Sequence, residues 1–307
     1  MKKIVSIGEV LMDVYSEANK TNAVVGGASF NVACSIAALK NNESYFMGSL
    51  GNDDYKNEIK TFIEKYGIKT DFIQESQLPT TIAKVTLDEN KERFFEFTRN
   101  SDADFQLSNF SQDQLKEIDF IHFGSATALL EGDLSDSYWE LFDFAKENNI
   151  KFCFDPNFRD NLWTTEAEIK EFIRLSTPFL DKADLIKLSD EELLLVTGTN
   201  EQERAIKVLM GFNPNALICI TRGSNDTMCG WNGEIIYVPT VVCEELADTT
   251  GAGDAFISSL INEFVSKDIN SESSKEDVIE IVSTSNKFAN QAVRYIGALT
   301  FLDHLNK

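Results

Sequence analysis

Short β-rich apolar runs alternate with stretches of helical period along most of the chain. IVSIGEV (4–10), YFMGSL (45–50), FIHFG (120–124), KFCFD (151–155), DLIKL (184–188) and ALICIT (216–221) read as strands. FNVACSIAAL (30–39) and the stretches at about 53–66, 135–148 and 165–180 read as helices, as does ISSLINEFV from 257 onward. This alternation predicts an α/β fold, a mostly parallel central sheet covered by helices on both faces. In such sheets ligands bind outside the carboxyl ends of the strands. Two segments break the rhythm, 14–25 and about 71–100. In the second, IAKVTLDENKERFFEFTR alternates apolar and polar positions around a turn at Asp88, Glu89 and Asn90, the pattern of a hairpin with one solvated or partner-facing side. Together they predict a small β lid on one large domain spanning 1–307, and DINSESSKE (268–276) reads as a surface loop.

Composition narrows the classes of function. Fifty Asp and Glu against 28 Lys and Arg leave a formal charge of −22, which disfavours nucleic acid and anionic lipid as partners. No run approaches the roughly 18 apolar residues of a membrane helix. MKKIVSIGEV has the charged start of a secretion signal, but Glu9 and Asp13 interrupt it, so a cytoplasmic protein is expected. The five cysteines are odd in number and never spaced CxxC, which points to reduced buried thiols rather than disulfides or zinc. With only His122 and His304, a histidine-based hydrolytic triad has little to draw on.

The strongest local signal is DTTGAGDAF, Asp248 to Phe256, leading into a helix. Gly251 and Gly253, with Ala252 between them, let the backbone turn tightly and aim free N–H groups at an anion. Asp254, in the first helical turn, is placed to take a proton from a nearby hydroxyl; an N-cap after a glycine turn would use the same carboxylate. There is no GxxxxGK[ST], and GAGDAF lacks the third glycine of a dinucleotide fingerprint. GGASFNVA, Gly26 to Ala33, exposes main chain through Gly26 and Gly27, and Asn31 offers a donor and an acceptor to a sugar hydroxyl. Taken alone it fits a helix-start turn equally well. Asp13, past the first strand, is either a crevice residue or a turn residue.

GGASFNVA with Gly48, Gly51 and Asp53, followed by DTTGAGDAF, resembles the two signatures of the ribokinase-like (PfkB) carbohydrate kinases across nearly the whole chain. The resemblance implies a ribokinase-like three-layer sandwich with a β lid, MgATP as phosphoryl donor and Asp254 as base. FIHFGS (120–125), FDPNFRDNLW (154–163), KLSDEEL (187–193) and ERFFEFTRNSDAD (92–104) are similar to fructokinases and partly to 2-keto-3-deoxygluconate kinases. A keto-deoxy acid would need a cation such as Arg99 or Arg159 for its carboxylate. The family's NxxE pattern departs here to Ser189–Glu192; Ser189 is carried over to the nucleotide side, and Glu192 supplies a carboxylate for Mg2+ or its waters, while the same residues make a capping box. The resemblance further implies that Thr221 and Gly223 line the nucleotide, that Asn286 lies beside the adenine, and that Asp248, Thr250 and YIGAL (295–299) hold a monovalent cation such as K+.

The resulting expectation is an ATP-dependent sugar kinase, most simply a fructokinase. The sugar would lie between Asp13, Gly26, Gly27, Asn31, Arg99 and the lid, with Arg159 clamping the transferring phosphoryl group. Another sugar kinase of the family, a kinase of nucleosides or phosphosugars, and a non-catalytic sugar-responsive protein are the alternatives. The last would be expected to lose the aspartate base or the anion-hole glycines, and this chain keeps both. An apolar lid face at Phe94, Phe95 and Phe97 suits a homodimer.

Overall fold

The computed structural model describes residues 1–17, 20–87 and 93–305, with side chains for 1–15, 22–84 and 96–305. In chain order the described strands are β1 (Lys3–Ile7), β2 (Leu11–Glu17), β3 (Lys20–Gly26), β4 (Glu43–Leu50), β5 (Ile73–Glu75), β6 (Thr81–Leu87), β7 (Arg93–Thr98), β8 (Phe120–Phe123), β9 (Lys151–Phe154), β10 (Leu185–Ser189), β11 (Leu217–Arg222), β12 (Asn225–Trp231) and β13 (Glu234–Val238). The helices are α1 (Ala28–Leu39), α2 (Tyr55–Tyr66), α3 (Gln112–Lys116), α4 (Asp133–Asn148), α5 (Glu166–Lys182), α6 (Asp190–Thr197), α7 (Gln202–Phe212), α8 (Ala252–Ser266) and α9 (Lys275–Ala292).

Nine strands form one sheet in the order β13-β12-β11-β10-β9-β8-β1-β4-β5, parallel from β11 to β5 and antiparallel only at the β11-β12-β13 end. Strand alternation sends successive side chains to opposite faces. Val5, Ile7, Ile121, Phe123, Phe152, Phe154, Ile186 and Leu188 therefore join one apolar core, which takes in residues of α4 to α7. Ile4, Phe120, Cys153, Leu185, Leu217 and Cys219 pack on the other face with residues of α1, α8 and α9. The three-layer sandwich of the sequence reading is the observed one. β1 has β4 on one side and β8 on the other, so the direction of winding reverses at β1 and a crevice opens beyond its end.

The lid is a four-stranded sheet, β3-β2-β6-β7. It is mixed: β2 runs antiparallel to β3 but parallel to β6, and β6–β7 is the expected hairpin. Its boundaries correct the sequence reading in two places. Ile73–Glu75 pairs parallel with Gly48–Leu50 and extends the main sheet instead of the lid. Asp13 lies inside lid strand β2, its Cα opposite Val24 and Ala83, because the chain re-enters a strand at Leu11 soon after β1 ends. The hairpin turn at Asp88, Glu89 and Asn90 and the side chains of Phe94 and Phe95 lie outside the described residues; Phe97 is half-buried.

Five aromatic rings converge on Phe179 of α5: Phe154 stacks on it at 4.9 Å and 16°, with Phe142 at 4.4 Å, Trp139 at 4.9 Å and Phe123 and Tyr138 at 5.3 Å. Phe179 is fully buried between α4 and the sheet. Phe179→Ala is expected to lower unfolding stability by about 3–5 kcal/mol, read by urea denaturation, since deleting the ring removes both transfer energy and packing.

Candidate active site

Two helix N-termini meet at the crevice beyond β1. α8 starts at Gly251, whose left-handed backbone (φ 77, ψ 0) suits glycine, and a Cβ there would stand 2.6 Å from the Cα of Ala298. The turn opens the N-terminus of α8, where the Ala252 N–H already donates to the Thr249 carbonyl oxygen at 3.2 Å and Gly253 and Asp254 follow in the first helical turn. α1 starts at Gly27 (φ 108, ψ 123), where a Cβ would meet the Glu9 carbonyl oxygen at 2.6 Å. The buried Glu9 carboxylate accepts the Ala28 N–H at 2.8 Å and a hydrogen bond from the Ser125 hydroxyl, and so caps α1 from the end of β1. The Asp13 carboxylate packs against Gly26, where a Cβ would lie 2.4 Å from its Oδ2.

Asn31 bridges the two helices. Its Nδ2 donates to Asp254 Oδ2 at 2.8 Å, while its buried Oδ1 has no partner among the described residues. Burial pushes the Asp254 carboxyl above the usual carboxylate range; Asn31, Arg159 and Lys187 each pull it back. Arg159 is exposed, with its Nη2 3.3 Å from Asn157 Oδ1 and its Nη1 2.9 Å from the Phe158 carbonyl oxygen.

Beneath the α8 turn lies a cluster that the sequence reading missed. Lys187 of β10, 7% exposed at its side chain, forms an ion pair with the fully buried Asp155 at 3.2 Å. Its Nζ comes within 3.3 Å of where a Cβ of Gly253 would be, at the first turn of α8. Burial pushes Asp155 up, against the pull of Lys187, and Glu192 and Asp254 push it further. The same three carboxylates keep Lys187 protonated in spite of its burial. The signal was legible: a lysine inside the apolar run DLIKL of a strand buried on both faces must have a paired charge. His122, fully buried on β8, is held down to about 3 by desolvation and by Lys187, so it stays neutral and has no evident part in the chemistry.

The remaining expected residues fall around this centre. Glu192 completes the capping box of α6: Ser189 Oγ accepts its N–H at 3.1 Å, and its carboxylate accepts the N–H groups of Ser189 at 2.7 Å and Phe158 at 2.8 Å. Asp248 Oδ1 accepts from the N–H and hydroxyl of Thr250 at 3.0 and 2.8 Å, and its Oδ2 from Gly297 N–H at 3.1 Å, so the expected cation loop and YIGAL are in contact. Thr221, Gly223 and Asn286 line a cavity of about 470 Å3 that runs to Ala252 and Gly253. Arg99 stands apart: its Nε is held by buried Asp102 at 2.9 Å and its Nη1 by the Glu131 carbonyl oxygen at 2.9 Å.

A cavity ending on amides at a helix N-terminus, with a buried carboxylate beside them, is the geometry of phosphoryl transfer to a hydroxyl. The profile of the "pfkB family carbohydrate kinase" matches residues 1–305. The chain belongs to the pfkB family of carbohydrate kinases. Fructokinase-2 of Solanum habrochaites is 32% identical to this pfkB kinase over 281 residues, which cover 85% of this chain and 81% of the relative. A fructokinase of Vibrio alginolyticus is 28% identical over 263 residues, covering 85% and 83%. Among solved structures, the fructokinase of Xylella fastidiosa with bound ATP superposes with a TM-score of 0.85 at 24% identity, covering 97% of this chain and 94% of that one. Aminoimidazole riboside kinase of Salmonella enterica gives 0.81 at 23%, covering 99% of each. At these identities the solved structures share the fold.

Three outcomes test the geometry of the kinase site. Gly251→Ala is expected to reduce turnover at least about a hundredfold, since the added methyl must displace the Ala298 backbone and with it the anion hole. Asp254 can accept a proton only when ionised, so kcat/KM should fall as pH drops through a value above the ordinary carboxylate range. Lys187→Met removes a positive charge that favours the ionised form. It should move that acid limb to higher pH, and an unmoved limb would separate Lys187 from Asp254.

Proposed function

We propose that this chain is a fructokinase, transferring the γ-phosphoryl group of ATP to a hydroxyl of fructose to give fructose 6-phosphate and ADP. The observation that carries this reading is the 2.8 Å hydrogen bond between Asn31 and Asp254. It holds a raised-pKa base one residue from the anion-hole glycine Gly253 and leaves the buried Asn31 Oδ1 to accept from a polyol. The names of the relatives support fructose as the acceptor.

ATP occupies the cavity that runs from Asn286 to Gly253, with its terminal phosphate on the α8 amides. The sugar lies against Asp13, Gly26, Gly27 and Asn31, beneath the lid. Asp254 takes the proton of the attacking hydroxyl as the new O–P bond forms and ADP leaves. Arg159 and Lys187 offset charge on the transferring group from the exposed and buried sides respectively. Lid closure excludes water, the competing acceptor.

Mg2+ suits the oxygen donors present. Each Glu192 oxygen already accepts a backbone N–H, so its remaining lone pairs are suited to waters of the ion. Among the described residues no group of three or more His, Cys, Asp or Glu side chains is arranged to hold a metal. When bound, Mg2+ supplies neutralising charge to the phosphates. Asp248, Thr250 and the carbonyls of 295–299 would hold K+ and set the α8 loop. For a keto-deoxy acid Arg99 keeps its Nη2, which is buried and without a partner among the described residues, while Nε and Nη1 are held by Asp102 and the Glu131 carbonyl oxygen. The reading includes a cytoplasmic location, supported by five free cysteines, four of them buried.

ADP release measured against fructose, glucose, mannose, ribose and 2-keto-3-deoxygluconate tests the assignment; fructose should give the highest kcat/KM, and a preference for any other acceptor refutes it. Asp254→Asn is expected to lower kcat about a hundredfold or more with little change in nucleotide affinity. Replacing K+ by a bulky organic cation should reduce the rate, and indifference would remove the cation site.

A further inference from the structure

Lid and main domain are joined through four stretches of chain, and two of them, 76–81 and 98–102, are pinned by carboxylates that the proposed reaction does not use. Asp53, just ahead of α2, grips Thr80 with both carboxylate oxygens: Oδ2 accepts the backbone N–H and Oδ1 the hydroxyl, each at 2.7 Å. Gly51 makes room for this grip, since a Cβ there would stand 2.2 Å from the Thr80 nitrogen. The Thr81 hydroxyl donates to the Asp102 carboxylate and accepts the N–H groups of Asn100 at 3.0 Å and Asp102 at 3.2 Å, so its one donor and both lone pairs are used. Asp102 also accepts Arg99 Nε at 2.9 Å, and Arg99 Nη1 ties the corner to the Glu131 carbonyl oxygen. Thr80, Thr81 and Asp102 are at most 1% exposed, so removing one partner would leave the other unpaired away from water. Gly51 and Asp53 lie in the segment that resembles the kinase signature, yet no step of the proposed reaction calls on them.

These residues bear on the sugar through the hydrogen-bonded ladder of the lid. Thr80 and Thr81 lead into β6, which lies parallel beside β2 with Leu11 opposite Thr81 and Asp13 opposite Ala83. Asp13 in turn packs against Gly26 at the crevice. We propose that Asp53 and Asp102 are positioning residues for the sugar: they fix the root of β6, and the β6–β2 ladder carries that placement to Asp13. The inference rests on the kinase reading and deepens it by naming residues that act on the acceptor through another side chain. The nucleotide cavity is lined by residues between Thr221 and Val293, which belong to the main domain, so nucleotide affinity is set independently of the lid root.

The KM for fructose and the calorimetric Kd of ADP separate the two sides. Asp53→Ala is expected to raise KM for fructose at least about tenfold, since both bonds to Thr80 are charge-assisted, while the Kd of ADP moves by less than about twofold. An unchanged KM, or a loss shared equally with ADP, overturns the proposal. Thr80→Ser and Thr80→Val differ in the hydroxyl that Asp53 holds, and they carry the test where Asp53→Ala does not fold. Thr80→Ser should keep KM near the unaltered value and Thr80→Val should raise it; equal KM values would refute the grip. If no sugar is phosphorylated, the kinase reading fails on its own, and positioning is then read by hydrogen exchange. Asp53→Ala should speed amide exchange at 11–15 and 81–84 while leaving α8 unchanged, and unaltered exchange at 11–15 overturns the proposal.

Discussion

The hydrogen bond from Asn31 to Asp254 joins residues 223 positions apart, and the site exists only because those two side chains meet. Both stand in the first turn of a helix, and both helices start where a side chain cannot fit. At Gly251 the obstacle is the Ala298 backbone; at Gly27 it is the carbonyl of Glu9. Each close approach holds a helix N-terminus against the carboxyl edge of the sheet. The apolar packing of α1 and α8 with the sheet keeps those termini in register. The catalytic geometry is therefore a consequence of core packing on one face of a parallel sheet.

A chain of net charge −22 that binds a polyanion needs its positive potential locally, and the structure supplies it from three sources. The α8 amides provide a fixed dipole, Arg159 an exposed charge, and Lys187 a buried one whose ion pair with Asp155 lies close to Gly253. Desolvation acts in opposite senses on the two kinds of group. It raises Asp254, which suits a proton acceptor, while the surrounding carboxylates keep Lys187 charged against the same desolvation. The pair is a structural pin between the ends of β9 and β10, close to the Gly253 turn of α8.

The nucleotide side follows a different logic. The side-chain amides of Asn286 and Asn290 and the Arg222 guanidinium are spent on the protein itself, the amides fastening a wall with little regular structure to α9. In the proposed function the sugar meets hydrogen-bonding groups such as Asn31 and Asp13, whereas much of the cavity lining is apolar.

Much of this was legible in the sequence because it depends on local rules. Alternating strand and helix periods specify the parallel sandwich, the hairpin pattern marks the lid, and the glycines of GGASF and TGAGD mark backbone that must approach something closely. The pairing of side chains was not legible, because it is decided by register between strands distant in the chain. Lys187 could be recognised as a buried charge, but its partner Asp155 is determined by the β9–β10 alignment. Ile73–Glu75 joined the main sheet because β4 offered it a free edge, which no local pattern records. Likewise Asn286 was recognisable as a polar residue on a helix, yet only the packed loop reveals that both ends of its amide are engaged. Periodicity and backbone freedom are properties of neighbouring residues, while charge pairing and amide commitment are properties of the assembled fold.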